Sequence, residues 1–170
     1  MKISLILFQI AIFTVLFCSR VKSQDTLPTV TVLSLNFKYL RAVSDPNAPK
    51  HVKMLEHKAA SYNVKSADFY EDMFDEYNVS FYIPDGEILA VYDKDGKIIR
   101  SAEKFKNIVL PQPVRQAVEK RFYGWIISKD VYLVNYYPDG ENAKKLYKMT
   151  LENGNKQIKI KTTETGEFVD

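Results

Sequence analysis

Acid-base, thiol and zinc chemistry lean on histidine and cysteine, and this 170-residue chain holds two of the first and one of the second. His51 and His57 lie six residues apart in a stretch with helical periodicity, about 240° around the axis. They do not converge on one ion as an i, i+4 pair would, and they read as solvated helix histidines. Cys18 sits in an apolar leader, and its removal would leave no thiol nucleophile, zinc-thiolate site or internal disulfide. Carboxylates remain. Asp93-Lys94-Asp95-Gly96 opens like a calcium loop, but Lys97 and Lys104 stand at positions five and twelve, where acids are needed. A hairpin turn accounts for it better, because glycine accepts the positive φ of a tight turn. Asp85 and Asp139 likewise sit in Pro-Asp-Gly turns that use aspartate for local hydrogen bonds. The run Glu71-Asp72 and Asp75-Glu76 offers a carboxylate pair or a cation site, or, as the plainer reading, a solvated edge that discourages sheet-to-sheet association. No Gly-x-Ser-x-Gly, Gly-rich phosphate loop or His-x-Gly-His box is present. The catalytic reading left is a carboxylate-only enzyme, with Asp93 and Glu103 as an acting pair. Asn78-Val79-Ser80 matches an N-glycosylation acceptor, a triplet that also arises by chance.

One feature points to recognition instead. All eleven tyrosines lie beyond residue 23. Tyr132, Val134 and Tyr136 share one side of a strand, with Tyr147 and Met149 on the next, so one sheet face is aromatic. Exposed, Tyr132, Tyr136 and Tyr147 would form a binding face, since tyrosine gives large contact area at low entropic cost. Covered by a helix, they are ordinary core.

The elements that would position these groups follow from periodicity and turn chemistry. Residues 29–40 (TVTVLSLNFKYL) are rich in β-branched residues early on and read as a first strand. The turn residues 45–49 lead into a helix whose stripe is Val52, Leu55, Ala59 and Tyr62. Strands are expected over 66–73, 77–83, 87–93 and 97–101, punctuated by Pro84-Asp85-Gly86 and Asp95-Gly96. A second helix spans 110–122, with Pro111 and Pro113 at its entry and Gly124 as its stop. Four more strands are expected over 125–128, 131–137, 145–151 and 156–163. In the last, Ile158, Ile160 and Thr162 alternate with Gln157, Lys159 and Lys161, one dry face and one wet. The fold class is therefore α+β, with antiparallel sheet and two helices on one face. The echo of residues 81–87 (FYIPDGE) in 135–141 (NYYPDGE) suggests a tandem helix-plus-strands repeat, with halves at 29–105 and 106–170.

Lys2, the apolar run to Phe17 and the polar residues 18–23 have the layout of a secretory signal cleaved after Ser23. The run is shorter than the roughly 20 residues of a spanning helix, so no stable membrane span is expected after cleavage. Removal of residues 1–23 deletes three cations and no acid, taking the formal charge from +3 to zero. A neutral chain makes no electrostatic case for nucleic acid.

Residues 77–168 resemble the PepSY-like family of exported bacterial envelope proteins, whose fold is similar to that of β-lactamase inhibitor protein. The resemblance is carried by Ala90-Val91-Tyr92-Asp93-Lys94-Asp95-Gly96, Glu103, Leu110-Pro111 with its helix to Phe122, Gly124-Trp125 and the tyrosine-rich strands to Gly166. The chain lacks the Pro-Gly pair that commonly closes the family's helix and has Phe122-Tyr123-Gly124 there. The resemblance implies an exported, non-enzymatic protein in the periplasm or outside the cell, without cofactor or metal. Its expected partner is a protein or envelope component. The oligomeric state is not legible at this level, and a folding or assembly helper fits the same signals.

Overall fold

The computed structural model describes residues 34–139 and 143–169. The expected signal, residues 1–23, lies outside the described residues. A 3-10 turn, Ser34–Asn36, leads into α1, Phe37–Val43, and then α2, Lys50–Ser61, and a second 3-10 turn, Val64–Ser66. Three strands follow: β1, Glu76–Ile83; β2, Gly86–Asp93; β3, Ile98–Lys106. Then come α3, Gln112–Arg121, and β4, Ile126–Tyr136, β5, Lys144–Asn153, and β6, Lys156–Thr162. The six strands form one sheet in chain order, and every neighbouring pair is antiparallel.

Two expected strands are corrected. Residues 34–40 turn through a 3-10 turn into α1, while 29–33 lie outside the described residues. The β-branched residues that suggested a strand end at Val32; beyond it Asn36, Tyr39, Leu40 and Val43 are buried, a spacing of i, i+3, i+4 and i+7 that only a helical path puts on one side. Residues 66–73 are likewise not a strand. Successive i to i+3 hydrogen bonds fold them, from Tyr70 N to Ala67 O at 3.0 Å and from Phe74 N to Glu71 O at 3.2 Å, in a stretch rich in turn-favouring aspartate. A third difference is smaller: the strands expected at 125–128 and 131–137 are one, β4, with a register irregularity between Ile127 and Lys129.

The remaining helices and turns have local causes. Pro49 and Pro111 precede the first helical residue of α2 and α3, where a missing N–H costs nothing. Gly124, at φ +79°, ends the α3 turn. At the β2–β3 turn Asp93 Oδ1 accepts the N–H groups of Asp95 at 3.0 Å and Lys97 at 2.9 Å, and Gly96 takes φ +85°. The supposed calcium loop thus spends its first carboxylate on its own backbone.

One face of the sheet is covered. Val52, Leu55 and Ala59 of α2, Tyr39 and Val43 of α1, and Val114 and Val118 of α3 join a single core with Ile88, Phe105, Tyr132, Val134, Met149 and Leu151 from the strands. Asn36 pins this layer to the β2–β3 turn: its Nδ2 donates to Ala60 O and Gly96 O, each at 3.2 Å, and its Oδ1 accepts from Ile98 N at 2.7 Å.

Candidate functional site

The aromatic side of β4 and β5 is turned inward. Tyr132, Tyr136 and Tyr147 are 1%, 1% and 2% exposed, so the face expected to bind is interior, and the core alternative describes it. The cover is α1, which sequence reading took for a strand. Tyr39 of α1 meets the Tyr136 ring edge-on at 5.4 Å, while Tyr132 stacks on Tyr147 at 4.8 Å.

Among these rings lie two buried carboxyl groups. Glu103, on the covered side of β3, accepts the Tyr39 hydroxyl at 2.8 Å and the Ser101 hydroxyl at 3.0 Å on one oxygen. Its second oxygen and both oxygens of Glu56 make no hydrogen bond. Burial raises Glu56 to about 8, with the charge of Glu103 pushing the same way. Burial raises Glu103 to about 7, against the lowering pull of the Tyr39 and Ser101 hydroxyls and the Lys145 ammonium. An ionised carboxylate without water is unstable unless fully paired, so Glu56 keeps its proton at neutral pH. Glu56 was missed in the sequence, yet it sits beside Leu55 and between Val52 and Ala59 on the apolar stripe of α2, a position where a carboxyl signals burial.

The catalytic pair of the carboxylate-only reading does not assemble. Asp93 caps a turn at the end of β2, whereas Glu103 faces the core opposite Ile88, five residues along that strand and roughly 16 Å away at strand rise. His51 packs edge-on against Phe105 with ring centroids 6.4 Å apart, so it is a packed residue and not the solvated one expected. Among the described residues no group of three or more His, Cys, Asp or Glu side chains is placed to hold a metal ion, and no helix is long and apolar enough to cross a membrane.

The opposite face of the sheet has no helix over its centre and carries a shallow depression of about 410 Å3, walled by Ser80, Tyr82, Leu89, Ala102, Leu133 and Asn135. Strand register explains the grouping: Ser80, Leu89, Ala102 and Asn135 are successive cross-strand partners in one row, and Tyr82, Glu87, Lys104, Leu133 and Leu146 form the next. Tyr82 is 67% and Leu89 44% exposed, more apolar surface than an unused sheet centre needs. Ion pairs Glu87 with Lys104, at 3.2 Å, and Glu76 with Arg100 flank it. Further along β3 to β6 the same side presents Lys106, Lys129, Lys148 and Lys159, all exposed, so that half of the face is basic. These residues were legible only as the polar alternates of each strand.

A sheet shielded on one side by helices and open on the other defines an α+β protein of the surface-presenting kind. No family model matches the chain, and no curated protein does. Among solved structures it is similar to a DUF2874 family protein from Bacteroides uniformis, with TM-score 0.38 and 17% identity over 72% of this chain and 87% of that one. It is also similar to a BLIP-like protein from Bacteroides fragilis, with TM-score 0.33 and 18% identity over 59% and 69%. A Bacteroides eggerthii protein described as periplasmic gives TM-score 0.37 and 15% identity over 72% and 86%. All three TM-scores lie below 0.5, and the site is argued from this chain's own residues.

Proposed function

We propose that this chain is an exported, non-catalytic binding or inhibitory module, acting in the periplasm or outside the cell, that holds a protein or envelope component on its open sheet face. The observation that carries this is the apolar depression around Tyr82, Leu89 and Leu133 within an otherwise charged, helix-free face. Small, partly apolar hollows with a charged rim are what a protein partner's projecting side chain fills. The secretory layout of residues 1–23 and the PepSY-like resemblance of residues 77–168 support the location and the lack of turnover. The rival, a small extracytoplasmic enzyme using carboxylates only, is disfavoured by the separation of Asp93 from Glu103.

Affinity capture from the native envelope, run in parallel with the wild-type chain and with a Tyr82→Ala/Leu89→Lys variant, tests the reading. The expected result is a partner held by the wild type and lost by the variant at unchanged circular dichroism. A retained partner, or turnover of an envelope substrate abolished by one carboxylate substitution, would overturn it.

A further inference from the structure

A second surface of this chain answers the open face in both charge and shape. Between Ala67 and β1 the residues Asp68, Glu71, Asp72, Asp75 and Glu76 bring five acids with no intervening base. Within the same stretch Phe69, Met73 and Phe74 are 52%, 77% and 48% exposed. This is not a loose loop. Tyr70 stacks on Tyr77 at 4.9 Å and donates its hydroxyl to Lys94 O at 3.0 Å, while the Tyr77 hydroxyl donates to Glu71 O. The aromatic and methionine side chains are therefore held outward on an ordered, acidic knob. Rigid aromatic projections lose little entropy when they bind, which makes them effective anchors.

The open face is the counterpart, with an apolar hollow and, beside it, the lysine rows. Lys106 and Lys148 both flank Val131 across the strands, and Lys129 and Lys159 both flank Thr150 one row on. Residues 24–170 carry no net formal charge, so these patches are not the by-product of a generally acidic or basic chain; opposite signs have been sorted onto separate surfaces. An anionic membrane would meet the lysines but leave the acidic knob repelled, and a hollow fits a projection better than a plane.

We propose that the acidic aromatic segment 67–75 of one copy docks on the open sheet face of a second copy, with Phe74 or Met73 entering the hollow and the acids meeting Lys106, Lys129, Lys148 and Lys159. This rests on the reading of the open face as the docking surface and names its occupant. The contact joins unlike patches, so each copy carries one of each and the exchange is satisfied by a pair or by a longer series.

Sedimentation analysis of the protein in the form its cells accumulate provides the test, with two variants. Met73→Lys/Phe74→Lys disables the knob, and Lys148→Glu/Lys159→Glu disables the face; all four positions are exposed, so folding is spared. The wild type is expected to associate with rising concentration and to weaken about tenfold or more between roughly 0.05 and 0.5 M salt, as screening shortens the reach of charge. Each variant alone should lose association at least about tenfold. An equimolar mixture of the two should recover one contact, because each retains the patch the other lacks. A wild type that stays monomeric to about 1 mM, a mixture that does not recover, or binding to phosphatidylglycerol vesicles by a monomeric chain overturns the proposal. If the chain is monomeric while Tyr82→Ala/Leu89→Lys still loses a captured partner, the docking face stands and only the second copy falls.

Discussion

Glu56 and Glu103 illustrate how a single residue changes meaning once its surroundings are known. Both carboxyls are raised, to about 8 and about 7, chiefly by burial, while an unfolded chain holds its glutamates near the ordinary value of 4.5. Between about pH 5 and pH 8 the folded form therefore binds more protons than the unfolded form, and stability falls as pH rises, by up to about 1.4 kcal/mol per pH unit for each group. The groups facing the pair are Tyr39, Ser101 and Lys145, with Asp45 and Lys53 acting on Glu56 from farther out. Urea unfolding at pH 5 and pH 8 should show the higher midpoint at pH 5, and Glu56→Gln should flatten the profile; a midpoint that rises toward pH 8 would refute the assignment. Asn36→Ala deprives Ala60 O, Gly96 O and Ile98 N of their partner in the interior, at a cost of about 2–4 kcal/mol, readable as a lowered urea midpoint with unchanged slope. Neither residue could be weighed from the chain alone. Asn36 looks like one polar residue of an imperfect strand until Gly96, sixty positions on, supplies its partner.

Elements were read well where their cause is local. The β1–β2 and β2–β3 turns, α2 with its apolar stripe, α3 with its entry prolines and the alternation of β6 all rest on neighbours within a few residues, and all are present. α1 and the knob were misread because both depend on what they pack against. The β1–β2 hairpin also carries a constraint that no turn rule states. A methyl group on Gly86 would lie 2.5 Å from the Phe105 ring and 3.0 Å from the Ile83 side chain. Gly86→Ala is expected to cost about 1–3 kcal/mol through overpacking, and Phe105→Leu in the same chain should return part of that loss. A double-mutant cycle by denaturant unfolding checks it, and strict additivity would show the contact to be irrelevant. Asp93→Ala should destabilise the β2–β3 turn by about 1 kcal/mol, whether or not calcium is added, because its carboxylate serves Asp95 and Lys97 N–H groups. A thermal midpoint raised by calcium would revive the ion-loop reading.

At the scale of the molecule, the two expected halves meet along β3 and β4, whose register runs from Ser101 opposite Tyr136 to Lys106 opposite Val131. The buried cluster crosses that seam without a break. We expect one cooperative unfolding transition, with tyrosine fluorescence and far-ultraviolet circular dichroism coinciding; two separated transitions would mean that 29–105 and 106–170 are independent units. Strand alternation, helix stripes and glycine turns were determined by the sequence itself, because each is a matter of backbone sterics over a handful of neighbours. The choice between the two sides of the sheet was not. β4 offers Tyr132, Val134 and Tyr136 on one side and Val131 and Leu133 on the other, and β5 offers Tyr147 and Met149 against Leu146, so hydrophobicity alone leaves both sides eligible. Tertiary structure decides it through α1, which reaches across the chain to set Tyr39 against Tyr136 and Lys38 Nζ on Pro138 O, 100 residues away. Covering one face buries the tyrosines with the glutamates, and what remains open is the hollow beside the lysines, because a single helical layer can shield only one side of a sheet.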